Sequence, residues 1–388
     1  DGIRDCLLSR GLGDVYKRQS HSYEAFYQAI RRCWRFGQQQ PVNAYIIYDV
    51  GEGRVVENIR RKEIDSIAMA ESMVIIMKQQ TMEQLKKIQR QVAPHITEHK
   101  SGNDWDMYMG DCVESIKQID SDSIHYSIFS PPFSSLYTYS NSDRDMGNSR
   151  NDQEFFDHFV FLAKELHRVM MPGRLISFHC MNLPSSKSRD GFIGVKDFRG
   201  DMLRIFQAAG FVFHSEVCIW KDPVTAMQRT KAIGLLHKQV RKDSALSRQG
   251  IPDYLVTVRK LGDNPEPCAG PFTEFAGENP PAKSGDPIKD SINIWQRYAS
   301  PVWMDINPSD TLQYRSARAN DDERHICPLQ LEVIRRGLQL WSNPGDLVLS
   351  PFAGIGSEGY CSLQSGRRFV GFELKPSYFN CAVKNLDQ

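Results

Sequence analysis

The chain has 388 residues, with 48 Lys and Arg against 47 Asp and Glu, for a formal charge of +1. That length allows two or three domains, and a near-neutral total excludes a global field for nucleic acid, so any basic surface must be local. The nine cysteines form no Cys-x-x-Cys pair, which predicts neither a zinc site nor a disulfide framework and fits a reducing cytoplasm; no apolar run approaches a membrane span and no signal peptide is evident.

Residues 1–19 show no clear period. They resemble a translated sequencing-adaptor scar and are set aside from the fold. In 20–62, Gln28, Arg32, Arg35, Gly37 and Gln38 fit Gln-x-x-x-Arg-x-x-Arg-x-Gly-Gln. This resembles the last motif of Swi/Snf-like superfamily-two helicases, whose two arginines face ATP phosphates, and a strand over 41–50 is expected to follow. The chain has no Gly-x-x-x-x-Gly-Lys-Ser/Thr loop and no Asp-Glu-x-His box, so the expectation is the remnant of a helicase lobe without ATP hydrolysis. Apolar residues at helical spacing predict a helical linker over 63–100.

From 101 to 223 strands and helices alternate, which predicts an α/β sheet. Gly110-Asp111 opens a short helix over 113–119. Ser123 to Phe129 reads as a buried strand. The run Ser130-Pro131-Pro132-Phe133 ends it, because neither proline has an N–H to donate to a ladder. The carboxyl edge of an open α/β sheet is where ligands bind. A hydroxyl, a rigid Pro-Pro and an aromatic ring make a cup for a planar base with an exocyclic amine. Ser130 and the Pro131 carbonyl would accept from the amine, and Phe133 would stack on the ring. A loop follows to about 151, then a helix over 152–170, a stop at Met171-Pro172-Gly173-Arg174, a strand over 175–179, a helix over 200–209 and a strand over 211–220.

The interval 224–320 reads as an insert. Basic residues gather at its start, and Lys221, Arg229, Lys231, Lys238, Arg241 and Lys242 are the candidate DNA contacts. A strand recurs at 254–258 and an irregular stretch over 261–290. Over 291–320 Trp295, Tyr298, Trp303 and Tyr314 are interleaved with Arg297, Arg315 and Arg318, a mixture that suits nucleic acid. In 321–388 an apolar strand from Asp346 runs into Ser350-Pro-Phe352-Ala-Gly354-Ile-Gly356, a glycine turn opening a helix. The next strand ends in Glu373, a carboxylate placed for ribose hydroxyls.

Together these motifs resemble the amino-group DNA methyltransferases, over residues 107–388. Phe352, Gly354 and Gly356 match the family's Phe-x-Gly-x-Gly cofactor motif, with Ser350 where the family usually has Asp. Ser130 to Phe133 match its Asp/Asn/Ser-Pro-Pro-Tyr/Phe catalytic motif. His325-Ile-Cys-Pro328-Leu-Gln resembles the His-Pro-x-Gln-Lys-Pro segment lining the methionine end of the cofactor, without the Lys-Pro pair. Asp111 matches the turn that touches the cofactor's adenine. The catalytic motif precedes the cofactor motif, as in the family's beta group.

The resemblance implies a Rossmann-like sheet assembled from both ends of the chain, an inserted target-recognition region, S-adenosyl-L-methionine as cofactor and no metal. It implies double-stranded DNA as partner, a bacterial or phage-encoded cytoplasmic protein, and a cognate restriction enzyme or helicase portion alongside. Ser130 favours cytosine N4 over adenine N6 as the methylated amine. The contrasting expectation is a DNA-gripping fragment that no longer transfers methyl groups. An RNA or protein methyltransferase is a further alternative.

Overall fold

The computed structural model describes residues 96–134, 145–149, 151–224, 237–246, 248–313, 317 and 328–388, with isolated positions between 54 and 69. The chain divides into two units, Asp1–Ala93 and Pro94–Gln388. In the first, the described positions, among them Arg54, Ile64 and Met69, are helical and exposed. The helicase-like pattern on Gln28, Arg32 and Arg35 and the strand expected over 41–50 lie outside the described residues.

The second unit begins with β1 (Ile96–Gly102) and β2 (Trp105–Gly110). They pair antiparallel around the Asn103-Asp104 turn. Residues 96–100 therefore belong to the sheet and not to a helical linker. Then follow α1 (Cys112–Ser115), β3 (Ile124–Phe129), α2 (Asp152–Val169), β4 (Met170–Met181), a small hairpin of β5 (Leu183–Ser185) and β6 (Gly194–Lys196), α3 (Phe198–Ala208) and β7 (Phe211–Ile219). After a single helical turn at His237–Val240 come β8 (Asp253–Lys260), α4 (Pro287–Tyr298), β9 (Val302–Trp303), α5 (Leu331–Trp341), β10 (Leu347–Ser350), α6 (Ser357–Gln364), β11 (Arg368–Glu373) and α7 (Pro376–Leu386).

Local chemistry accounts for most of these boundaries. In α2 the Asn151 side chain accepts the Glu154 N–H at 2.9 Å, Asp152 and Glu154 occupy the first turn, and His167 and Arg168 the last. Each sign of charge faces the helix end that favours it. Phe155, Phe159, Leu162, Leu166 and Val169 recur on one face, and all are buried. The stop expected at 171–174 is absent. β4 runs through it, with a register shift against β3 that takes up the extra residues as a bulge.

Among the described residues the main sheet has the order β1-β2-β11-β10-β3-β4-β8-β7-β9. β2, β11, β10, β3 and β4 run parallel. β3 lies directly beside β10, 222 residues away in sequence, and the Ser127 hydroxyl donates to the Leu349 carbonyl at 2.8 Å. One face of the sheet packs α2 and α3 through Phe155, Phe159, Met202 and Phe206. The other packs α5, α6 and α7 through Val333, Ile334, Cys361, Phe379 and Ala382. Strands buried on both faces read as the continuous apolar runs seen in β3 and β10.

Two expectations for 224–320 change. β8 pairs β4 and β7 along its length, with Leu255, Val256 and Val258 buried, so this interval crosses the main sheet and is not one appended insert. Tyr298 and Trp303 are each 1% exposed. With Phe275 they surround the Arg336 guanidinium, at 5.0 to 5.4 Å from its carbon, while Arg336 pairs with Asp305 and Glu332. These aromatics serve an internal cation and not a nucleic acid. Trp295, about half exposed, and Arg297 remain on the surface; Tyr314, Arg315 and Arg318 lie outside the described residues.

Candidate active site

The loops following β3, β10 and β11 converge on one cavity. A parallel sheet brings them together because the carboxyl ends of adjacent strands share an edge. Asp111, Ser130, Pro131, Pro132, Phe133, Pro328, Phe352, Gly354 and Glu373 all line it. His325 lies outside the described residues. Ser350 is fully buried beneath the loop, and its hydroxyl makes no hydrogen bond.

The glycine turn has two functions. Gly354 adopts φ +54° at the cavity wall. Gly356 does not reach the cavity. It caps α6 at φ +85°, and a Cβ there would lie 3.1 Å from that of Ala382. It lets the turn seat closely on α7, a packing role at a residue that matches the cofactor motif.

Glu373 ends β11 and accepts the Gly354 N–H at 2.9 Å and the Lys375 N–H at 2.8 Å. Its carboxylate thus holds the glycine turn as well as facing the cavity. Burial raises its pKa to about 7, although both amide bonds oppose that shift. Asp111 caps α1, accepting the Val113 N–H at 3.0 Å.

Ser130 sits one residue beyond β3, with Oγ 3.1 Å from Nδ1 of His179 at the end of β4. His179 Nε2 lies 3.0 Å from Asp253, the first residue of β8, without an aligned hydrogen bond. Asp253 is also paired with Lys221. Phe133 is partly buried, edge-on to Phe198 at 6.1 Å and 6.3 Å from the His179 ring.

Lys221, a candidate DNA contact by sequence, is thus engaged beside the cup. Lys238, Arg241 and Lys242 are exposed, and Arg229 and Lys231 lie outside the described residues.

The sequence reading missed His179, Asp253, Glu358 and Lys375. Only Glu358, five residues beyond the alanine of the glycine turn, carried a local signal, being an acid in the first turn of a helix that opens at the cofactor motif. Glu358 is 4% exposed, lines the cavity, and makes no ion pair among the described residues. Burial first, and then Glu373, push its carboxyl up to about 8. In the unfolded chain it ionises near about 4.3. Between those values the folded state holds a proton that the unfolded state has released. Its contribution to stability is therefore full below about pH 4.3 and is lost as pH rises through about 8. Urea midpoints of the unliganded protein are expected to fall between about pH 5 and about pH 8.5, and to fall less in Glu358→Gln. Equal pH slopes in both proteins would refute this.

The sequence profile of the N6/N4 DNA methylase family matches residues 124–384. The chain belongs to this family. This methylase is 22% identical over 282 residues to the type II methyltransferase M.BglII of Bacillus subtilis, covering 72% of this chain and 68% of that one. It is 23% identical over 305 residues to M.HindIII of Haemophilus influenzae, covering 72% and 94%. Among solved structures, the cytosine-N4-specific PvuII DNA methyltransferase shares its fold, with a TM-score of 0.51 at 16% identity over 75% of this chain and 89% of that one. The methylase is an α/β protein of the beta group, with its Ser130-Pro131-Pro132-Phe133 loop before its glycine turn, and its cofactor is S-adenosyl-L-methionine. The helicase-like segment lies outside the family match. No helix among the described residues is long and apolar enough to cross a membrane.

Proposed function

We propose that this methylase transfers a methyl group to the N4 amine of cytosine in double-stranded DNA. The observation that carries the reading is the meeting, in one cavity, of Ser130-Pro131-Pro132-Phe133 with Gly354 and Glu373 from the neighbouring strands.

The residues present fit the cofactor. Glu358 is a buried carboxyl facing the cavity without an ion-pair partner among the described residues, which suits a ligand carrying positive charge. Glu373 and Asp111 offer acceptors for ribose hydroxyls and the adenine end. Pro328, Phe352 and Tyr378 supply apolar wall. When bound, S-adenosyl-L-methionine supplies an electrophilic methyl group on a positively charged sulfur.

The protein's own groups then position the amine. A base inside the duplex cannot reach this cup, so the target nucleotide must turn out of the stack. Phe133, held edge-on by Phe198, offers a flat face for the ring. Ser130 Oγ and the Pro131 carbonyl accept from the amine and aim its lone pair into the cavity. Positioning and fixed dipoles carry the acceleration, and no covalent enzyme intermediate is required. The exposed Lys238, Arg241 and Lys242 are the proposed phosphate contacts, a role that predicts salt-sensitive DNA affinity.

A hydroxyl at position 130 favours cytosine. The family includes both amines, so the test must read the product. The purified chain is incubated with unmethylated genomic DNA and labelled S-adenosyl-L-methionine, and nucleosides are resolved by mass spectrometry. N4-methylcytosine is the expected product. N6-methyladenine would overturn the base assignment, and cofactor binding without any product would overturn the transfer reading in favour of a DNA-gripping fragment.

A further inference from the structure

We propose that His179 and Asp253 form a proton-accepting relay behind Ser130, with Lys221 as its counter-ion. The inference rests on the amine-methylation reading above and names residues for a step that reading leaves open.

The relay is written across the sheet. β3, β4, β8 and β7 are consecutive neighbours, and each delivers one member to the same edge. Ser130 follows the end of β3, His179 lies near the end of β4, Asp253 opens the antiparallel β8, and Lys221 follows the end of β7. The register fixes the row, because Asp253 pairs with Met181 of β4 on one side and Ile219 of β7 on the other. His179 is 8% and Asp253 3% exposed. Lys221 alone would balance Asp253, so charge neutrality does not require the imidazole. Its Nδ1 nonetheless lies 3.1 Å from the Ser130 hydroxyl, and its Nε2 lies 3.0 Å from the carboxylate, close but not aligned for a hydrogen bond.

The tautomer follows from these neighbours. Burial works against ionisation of Asp253, but Lys221 and His179 outweigh it and hold the carboxyl below its usual range. A carboxylate at Nε2 selects the Nε2–H form and leaves the Nδ1 lone pair for the Ser130 hydroxyl, the same logic as in Ser-His-Asp hydrolases. Here the serine has no acyl group to attack. As the amine nitrogen bonds to the methyl carbon, the electron pair of the broken C–S bond stays on sulfur, and the nitrogen carries one proton too many. That proton passes to Ser130 Oγ while the hydroxyl proton passes to His179 Nδ1. The imidazolium formed is stabilised by Asp253 and later releases its proton to water. His179 and Asp253 are thus positioning residues that act through Ser130. Asp253 from β8 and the Phe133 ring lie against the imidazole, and Lys221 beyond β7 pairs with Asp253.

The test uses the full chain with His179→Gln and Asp253→Asn. Cofactor affinity by calorimetry is expected to stay within about twofold, because neither residue lines the cofactor cavity. The single-turnover rate is expected to fall about 10²-fold in His179→Gln and roughly 10-fold in Asp253→Asn. In steady state both variants are expected to lose kcat while KM for DNA stays within about twofold. Nitrogen-15 imidazole spectra of the wild type should show the Nε2–H form, a readout that needs no variant and no turnover. Urea midpoints identify a variant that has merely unfolded. An Nδ1–H imidazole in the wild type, or a folded His179→Gln within about threefold of the wild-type rate, would overturn the relay alone. A wild type that binds cofactor but forms no methylated nucleoside would overturn the amine-methylation reading and the relay with it.

Discussion

Ser130→Ala and Phe133→Ala are each expected to lower the methylation rate by about 10³-fold while leaving cofactor affinity nearly unchanged. Both side chains line the cavity, as do Glu358, Glu373 and Gly354; the proposed function assigns the first two to the base and the other three to the cofactor. Removing the hydroxyl takes away the proposed acceptor of the amine and the contact with His179. Removing the ring takes away the stacking surface, worth roughly 1–3 kcal/mol per base on aromatic side chains, and leaves a gap beside Phe198 in which the base can tilt. A misplacement of about 1 Å is enough to cost about 10²-fold in a reaction that depends on alignment. Single-turnover assays with calorimetry of cofactor binding read the two effects separately. Near-normal rates in both variants would remove the catalytic assignment of this loop.

Arg174→Met is expected to destabilise the second unit by about 3–5 kcal/mol, the usual consequence of removing one partner from a buried ion pair. Arg174 is 1% exposed and pairs with Asp346. Its Nε donates to the His125 carbonyl at 2.8 Å, and Nη1 to the Glu266 carbonyl at 2.8 Å. One guanidinium therefore ties β3, β4, the segment after β8 and the entrance to β10. Methionine fills the volume but strands the Asp346 carboxylate in the core. Urea denaturation of wild type and variant measures the loss, and a change below about 1 kcal/mol would show that the pair is dispensable. The double variant Arg174→Met with Asp346→Leu is expected to recover much of the stability, since a paired apolar replacement leaves no orphaned charge.

Asp346 illustrates what spacing reveals and what it hides. In the sequence it opens the cofactor motif. In the structure it sits at the entrance to β10, while the cavity lies beyond the other end, four strand residues later. Its partner is 172 residues earlier, in the stretch read as a stop before a strand. Pro172-Gly173 is a reasonable stop by local rules, but the neighbouring ladder absorbs it as a bulge. Two of the aromatics over 291–320 differ from expectation for a similar reason. Tyr298 and Trp303 have the composition of a nucleic-acid surface, and only their packing around Arg336 places them inside.

Features whose causes are local are legible in the chain alone. Two prolines end β3 and fix the Ser130–Phe133 loop at its tip, a glycine turn opens α6, and an acid closes β11. Each depends on backbone geometry or on neighbours within a few residues, so pattern alone suffices. The folded sheet sets what depends on strand order. It set β3 beside β10 across 222 residues, made β8 part of the sheet, buried Glu358 at the cavity, and lined up Ser130, His179, Asp253 and Lys221 along one edge. Those contacts join residues with no periodic relation to one another. Burial and charge pairing act through space, and the chain must fold before they exist.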